Sequence, residues 1–377
     1  MKSPGRHLRA RSANVVALCG AAAMTAHMVI APATHARTYC RAMSQPTTSR
    51  EWVLEGPRRL VDRRRALKAL GPDDVRVRFV YCGLCGSDLS KFEASTAVVY
   101  PLSLGHEFVA EVVAVGKRVE RFRPGDVVTS DLNHRCGRCD QCLARRSHLC
   151  REGRAGLFTN RGFAELGDLH VDYLLRVDGP PAAHLTLAEP LSCVLHAKNW
   201  AAPTAADRVL IVGAGGLGLC LAFAFSQVQR STPVEVTDLL ATRLSRLDRA
   251  ADPQVRAVPA AEGEYDVVFD VSGTEDGLRV ATGSVRAGGT LCVLSHLTAA
   301  SSGGFLLKAL TRRDVTFKLS YLNGERANLE RAARMLAEGW DVAWQNALEL
   351  VAIDDLQAAF ERRRASPACK TVIQITR

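Results

Sequence analysis

Arg208-Val209-Leu210-Ile211-Val212 reads as a buried strand, and it runs directly into Gly213-Ala214-Gly215-Gly216-Leu217-Gly218 and an apolar helical stretch to about Gln229. A strand that turns on glycines into a helix commits the chain to a βαβ unit. Gly213 permits the turn, Gly215 and Gly216 leave the backbone bare for a pyrophosphate over the helix N-terminus, and Gly218 lets helix and strand pack closely. Strand-like and helix-like segments then alternate: Val234 to Thr237, Ala241 to Ala250, Tyr265 to Val271, Glu275 to Val285, Gly289 to Leu294 and Val315 to Tyr321. That spacing predicts a doubly wound parallel sheet. Asp238 ends the second strand, twenty residues after Gly218. A carboxylate there accepts from a ribose 2′-hydroxyl and repels a 2′-phosphate, which favours NAD over NADP, although Arg243 is a cation that tolerates phosphate.

Upstream the character is different. From Arg50 to Asp178 short strands are broken by glycine and proline: Val75 to Tyr81, Phe108 to Val115, Val127 to Ser130 and Ala164 to Val177. Short β-rich runs with turns such as Gly125-Asp126 suggest a barrel-like β domain. Ala188 to Ala201 reads as a helix, and the tail adds a helix from Leu329 to Gly339, a strand-helix pair and a final strand.

Six of the twelve cysteines fall between Cys82 and Cys150, a clustering that suits metal binding better than a disulfide framework. Cys136, Cys139, Cys142 and Cys150 lie at the spacing of a closed, tetrahedral structural zinc site, with an iron–sulfur cluster as the alternative. His134 and His148 flank that lobe as competing ligands. Its arginines carry no interleaved aromatic residues for base stacking, which argues against nucleic acid. A second cluster sits on two glycine turns: Cys82-Gly83-Leu84-Cys85-Gly86-Ser87-Asp88-Leu89-Ser90 and Leu104-Gly105-His106-Glu107. A thiol, a hydroxyl, an imidazole and a carboxylate there predict an open zinc site that holds an alcohol oxygen. Cys193, Cys220, Cys292 and Cys369 have apolar neighbours and read as buried fillers.

Charge excludes little. Residues 1–42 hold six basic residues and no acid, so they carry +6 of the net +10 and leave a mildly basic body. This stretch reads as a dispensable start, with a processed targeting segment as the alternative, and the free thiols and the cofactor predict a cytoplasmic protein. No run outside it is long and apolar enough for a membrane span.

Together, Gly83-Leu84-Cys85-Gly86-Ser87-Asp88, Gly105-His106-Glu107, the four-cysteine lobe, Glu189-Pro190-Leu191 and the glycine turn with Val236-Thr237-Asp238 resemble the zinc-dependent medium-chain alcohol dehydrogenase family, in its polyol and threonine dehydrogenase branch. The resemblance implies an α/β chain with a GroES-like β-barrel catalytic domain and a Rossmann domain, divided here as 1–49 (flexible extension), 50–183 (catalytic), 184–322 (NAD-binding) and 323–377 (return to catalytic). It implies two zinc ions per chain, NAD, a small-molecule alcohol or ketone, and a homodimer or homotetramer without nucleic-acid or membrane partners. Cys85 and His106 would be catalytic zinc ligands, joined by Glu107 and by Glu189 directly or through water. Ser87 would take the alcohol proton as hydride leaves for the nicotinamide. Two departures stand out: Ser90 occupies the place of a relay histidine, with Lys91 as a substitute, and an arginine paired with a tyrosine near Tyr321 is missing. The wording from Cys85 to Ser90 also resembles aminocyclitol dehydrogenases. His296, in the loop after a late strand, is a candidate neighbour of the nicotinamide. Ketone reduction in reverse is the alternative activity, and a non-catalytic zinc and nucleotide-binding protein the alternative class.

Overall fold

The computed structural model describes residues 47–133, 135–153, 161–250, 253–295 and 308–376. The dispensable-start reading of residues 1–42, His134 and His296 fall outside them.

The parallel sheet forms as its glycine turn requires. Six strands, β9 (Val209–Val212), β10 (Val234–Thr237), β11 (Val255–Ala257), β12 (Tyr265–Asp270), β13 (Val285–Val293) and β14 (Thr316–Leu319), run parallel in the order β11-β10-β9-β12-β13-β14. The order reverses between β9 and β12, so the crevice beyond their C-terminal ends lies at the glycine turn. Helix Gly216–Val228 buries every residue from Gly218 to Ser226. An apolar helix buried nearly all round needs a strand on one side and helices on the other, and Ala188–Ala201 supplies one of the latter.

The other strands form two antiparallel-based sheets. β1 (Thr48–Gly56), β2 (Arg59–Ala66) and β4 (Leu102–Ser103) pair in the order β2-β1-β4. β3 (Asp74–Gly83), β5 (Glu107–Val115), β6 (Val127–Ser130), β7 (Leu166–His170), β8 (Leu174–Val177), β15 (Leu348–Ala352) and β16 (Lys370–Gln374) make a seven-stranded sheet. The expected barrel is thus two sheets, with no closed ring of strand pairs among the described residues. They share an apolar core that includes Leu54, Phe79, Phe108, Phe163, Phe360 and Ile373. The single strand expected over Ala164 to Val177 breaks into β7 and β8 at a 3-10 turn, Val171–Tyr173, where His170 Nδ1 accepts from the Asp172 amide at 3.3 Å.

Pairing register places the site. Gly83, at the end of β3, lies opposite Glu107 on β5 and Val372 on β16, so the last strand of the chain flanks the second glycine-turn cluster. No helix among the described residues is long and apolar enough to cross a membrane.

Candidate functional site

Cys85 caps helix Gly86–Phe92 in an extended conformation, which turns its thiol off the end of β3. Gly105 has a φ of +90°, and a Cβ there would lie 2.9 Å from Cys82 Sγ and 3.0 Å from the Phe163 amide nitrogen, so only glycine delivers His106 and Glu107 from this turn. One ligand atom each from Cys85, His106 and Glu107 lie within 4.8 Å of one another.

Several observations fit a metal cation here. His106 Nδ1 is 3.5 Å from Asp88 Oδ1, while it and Asp88 Oδ2 are buried without a hydrogen-bond partner. A carboxylate behind one ring nitrogen turns the other toward the metal. Burial disfavours the imidazolium, but Asp88 and Cys85 raise the His106 pKa well above the usual value. The surroundings of His106 thus favour a positive charge. Asp88 is fully buried, and although burial opposes its charge, His106 holds its pKa below the ordinary carboxylate range.

Glu189, on the first turn of Ala188–Ala201, is buried beside this trio without joining it. Burial pushes its carboxyl up to about 7, against the opposing field of His106 and with Glu107 adding to the rise. The Cys193 thiol, one turn on, donates to Glu189 Oε1 at 3.4 Å. Cys193 is therefore a site neighbour rather than a filler, which its i, i+4 spacing from Glu189 could have signalled. Cys220, Cys292 and Cys369 are buried as expected.

Lys370 was not anticipated. Its ammonium forms an ion pair with Glu107, and the two side chains are only 3% and 2% exposed. Burial works against its charge, yet Glu107 and Cys85 together raise the pKa. A Cβ on Gly83 would lie 2.4 Å from Glu107 Oε2 and 2.9 Å from Lys370 Cε, so the bare backbone at Gly83 makes room for the pair. A Cβ on Gly216 would lie 3.4 Å from Lys370 Nζ, which brings the same ammonium to the glycine turn.

Ser87 Oγ donates to Cys85 Sγ at 3.4 Å, which puts the hydroxyl against the metal cluster. Ser90 Oγ instead donates to the Gly86 carbonyl at 3.1 Å.

At the glycine turn Gly213 has a φ of +110°, and a Cβ on Gly218 would lie 1.9 Å from the Gly213 carbonyl oxygen. Asp238 accepts from the Ala214 amide at 2.7 Å and the Leu240 amide at 2.8 Å. Arg243 Nη1 is 3.8 Å from Asp238 Oδ2, while Nε and Nη2 donate to the carbonyls of Ser366, Arg363 and Arg364. Its guanidinium is tied to the C-terminal segment.

The four lobe cysteines also bring their sulfurs within 4.8 Å of one another. Cys136 to Cys142 and Cys139 to Cys150 are both 3.9 Å between sulfurs. Four sulfurs about 2.3 Å from one zinc stand about 3.8 Å apart, so the quartet matches a closed tetrahedral site. The Cys142 and Arg151 amides lower the Cys139 thiol to about 6, toward the thiolate a metal needs. His148 packs against His196 at 4.7 Å between ring centroids, outside the four-sulfur group.

Comparison with known proteins agrees with this geometry. Residues 71–178 match the Alcohol dehydrogenase GroES-like domain. The chain is 32% identical to L-threonine 3-dehydrogenase of Streptomyces avermitilis over 247 residues, 60% of this chain and 70% of that protein. It is 31% identical to D-altritol 5-dehydrogenase of Agrobacterium fabrum, over 59% of this chain and 68% of that one. A zinc-binding dehydrogenase of Sinorhizobium meliloti, solved bound to NADP, superposes with a TM-score of 0.75 at 25% identity, covering 88% of this chain and 100% of that one. The motif-based family assignment is borne out, and the chain belongs to the zinc-dependent medium-chain alcohol dehydrogenases, in the branch of polyol and threonine dehydrogenases.

Proposed function

We propose that the chain is an NAD-dependent zinc enzyme that oxidises the secondary alcohol of a small polyol, cyclitol or hydroxy-amino compound to the ketone. The observation that carries this reading is the gathering of Cys85, His106 and Glu107 beside Ser87, with fewer protein donors than a closed tetrahedral site needs. Zinc, when bound, supplies a Lewis acid that lowers the pKa of an alcohol. Cys85 and His106 hold it, Asp88 orients His106, and Glu107 and Glu189 offer exchangeable carboxylates. Ser87 accepts the alcohol proton, and Ser90, occupied by the Gly86 carbonyl, does not extend that path. The four-cysteine lobe takes the second, structural zinc.

NAD is favoured over NADP by Asp238 and by the engagement of the Arg243 guanidinium with the carbonyls of Arg363, Arg364 and Ser366. The Sinorhizobium relative is bound to NADP, so the choice rests on these two residues. The domain division at 183/184 and 322/323 belongs to the same reading, supported by sheet membership. A homo-oligomer is supported by β14, an edge strand whose Phe317 and Leu319 are exposed together with Tyr321 just beyond it.

Metal analysis with NAD reduction over a panel of polyols, cyclitols and amino alcohols tests the proposal. About two zinc per chain and turnover abolished by Cys85→Ala are expected. One zinc per chain with no nicotinamide binding overturns it.

A further inference from the structure

Cys193 stands beside the candidate metal cluster and takes no part in the chemistry proposed above. Its helix, Ala188–Ala201, is anchored by the buried Leu191, Val194 and Leu195, so the backbone that carries both Glu189 and Cys193 is fixed. Side chains four residues apart on a helix lie one above the other, and the later one leans toward the earlier turn. The Cys193 thiol accordingly reaches back and donates to Glu189 Oε1 at 3.4 Å.

Glu189 is only 5% exposed, yet its oxygens stay outside the group in which Cys85, His106 and Glu107 bring one ligand atom each within 4.8 Å of one another. A buried carboxylate is oriented by the groups that hydrogen-bond to it. Each of the two carboxylates here has a different holder, Lys370 for Glu107 and Cys193 for Glu189. An ammonium inside the protein is a strong and lasting partner for a carboxylate. An S–H is a weak donor, enough to choose between orientations of a buried side chain and no more. An oxygen that accepts from the thiol is also turned away from other uses, a metal ion included.

We propose that Cys193 is a positioning residue whose thiol holds Glu189 back from the metal, so that the position beside Cys85, His106 and Glu107 stays open for the alcohol oxygen. This rests on the zinc dehydrogenase reading above and deepens it. Without the thiol, Glu189 turns onto the metal and competes with the alcohol for that position. Cys193 itself touches neither metal nor substrate.

The test compares wild type, Cys193→Ala and Cys193→Ser as full chains loaded with cobalt(II) in place of zinc, because cobalt reports its ligands through its visible absorption. The four-cysteine lobe contributes the same background to all three proteins, so the difference spectra report the catalytic cluster. Cys193→Ala is expected to alter the cobalt band of the alcohol-free protein. In the zinc enzyme it should raise KM about tenfold for the alcohol that wild type turns over best, with a smaller change in kcat, as competition for an open metal position does. Serine keeps a donor at this place, so Cys193→Ser returns both the band and KM toward wild type. A band and a KM unchanged in Cys193→Ala overturn the proposal, since repulsion from Glu107 alone would then keep Glu189 away. Equal changes in the alanine and serine variants overturn it too, because the two leave much the same space and a packing role would not tell them apart. Either result leaves the dehydrogenase reading standing, whereas a wild type that takes up metal only in the four-cysteine lobe and turns over no alcohol sinks that reading itself.

Discussion

The buried pair between Lys370 and Glu107 gives a prediction whose size follows from its surroundings. Both side chains are almost wholly inside, and the space they fill exists because Gly83 has no Cβ. Lys370→Met keeps most of the stem but removes the charge, and so leaves Glu107 beside Cys85 and near Glu189 without its ion-pair partner. Removing one partner of a buried pair costs about 3–5 kcal/mol, whereas removing both charges is near neutral. In zinc-free protein, urea denaturation of Lys370→Met is therefore expected to show a loss of about 3–5 kcal/mol, and Glu107→Gln a similar one. The double variant should recover most of either loss, giving a coupling energy of a few kcal/mol in the double-mutant cycle. Loading with zinc supplies Glu107 with another cation, so the Lys370→Met penalty should shrink on metal addition. A single-variant loss within about 0.5 kcal/mol of zero, or a double variant as unstable as the two singles summed, refutes the reasoning.

Gly218→Ala drives a Cβ into the backbone of Gly213, so NADH affinity followed by fluorescence and the thermal midpoint should both fall; unchanged values would show that the turn has slack. Gly283→Ala is the control, because a Cβ there meets nothing within 4 Å and the residue is helical, so a gain of about 0.5–1 kcal/mol is expected. Asp238→Ala should shift the ratio of NAD to NADP kcat/KM about tenfold toward NADP, and a wild type that already prefers NADP would contradict the ribose argument. His196 is lowered to about 4, mainly by burial with His148 adding, against an unfolded value of about 6.5. Between these pH values the unfolded chain binds the extra proton, so stability rises with pH and is lost as pH falls through the window. After discounting for partial exposure this amounts to about 1 kcal/mol. His196→Asn should flatten the difference in urea midpoint between pH 7 and 5, and an equal acid loss in both proteins would count against it.

How much of this was legible depended on whether a residue's environment is set by its neighbours in sequence. Val127–Ser130 was readable because Gly125-Asp126 bounds an apolar run, and Ala188–Ala201 because no glycine or later proline interrupts it. The two metal clusters were readable for the same reason, since each is built on one or two short turns. Strand β2 was not, because Arg59-Leu60-Val61-Asp62-Arg63-Arg64-Arg65 lacks an apolar face. It survives as an edge strand whose Arg63 and Arg65 pair with Glu51 on β1, both at 3.1 Å. Near the catalytic cluster, Cys193 left a signal in its spacing from Glu189, whereas Lys370 left none. Nothing local in Ser366-Pro367-Ala368-Cys369-Lys370 announces a partner 263 residues away.

That failure has a topological cause with a functional consequence. The parallel sheet is inserted between β8 and β15 of the seven-stranded sheet, so the chain must return across the whole inserted unit before β16 can flank β3. The returning segment touches both the glycine turn and the second glycine-turn cluster. Its carbonyls at 363, 364 and 366 hold Arg243 beside Asp238, its Lys370 reaches the glycine turn at Gly216, and the same Lys370 pairs with Glu107 at the Cys85-His106-Glu107 cluster. A short C-terminal strand thus couples the cofactor crevice to the metal cluster through one ammonium and one guanidinium. Loss of the final strand would leave both sheets most of their strands and both metal clusters their sulfurs, yet Glu107 would be uncompensated and Arg243 released. The two contacts join elements far apart in sequence, which is why the composition of the last strand gives no hint of them.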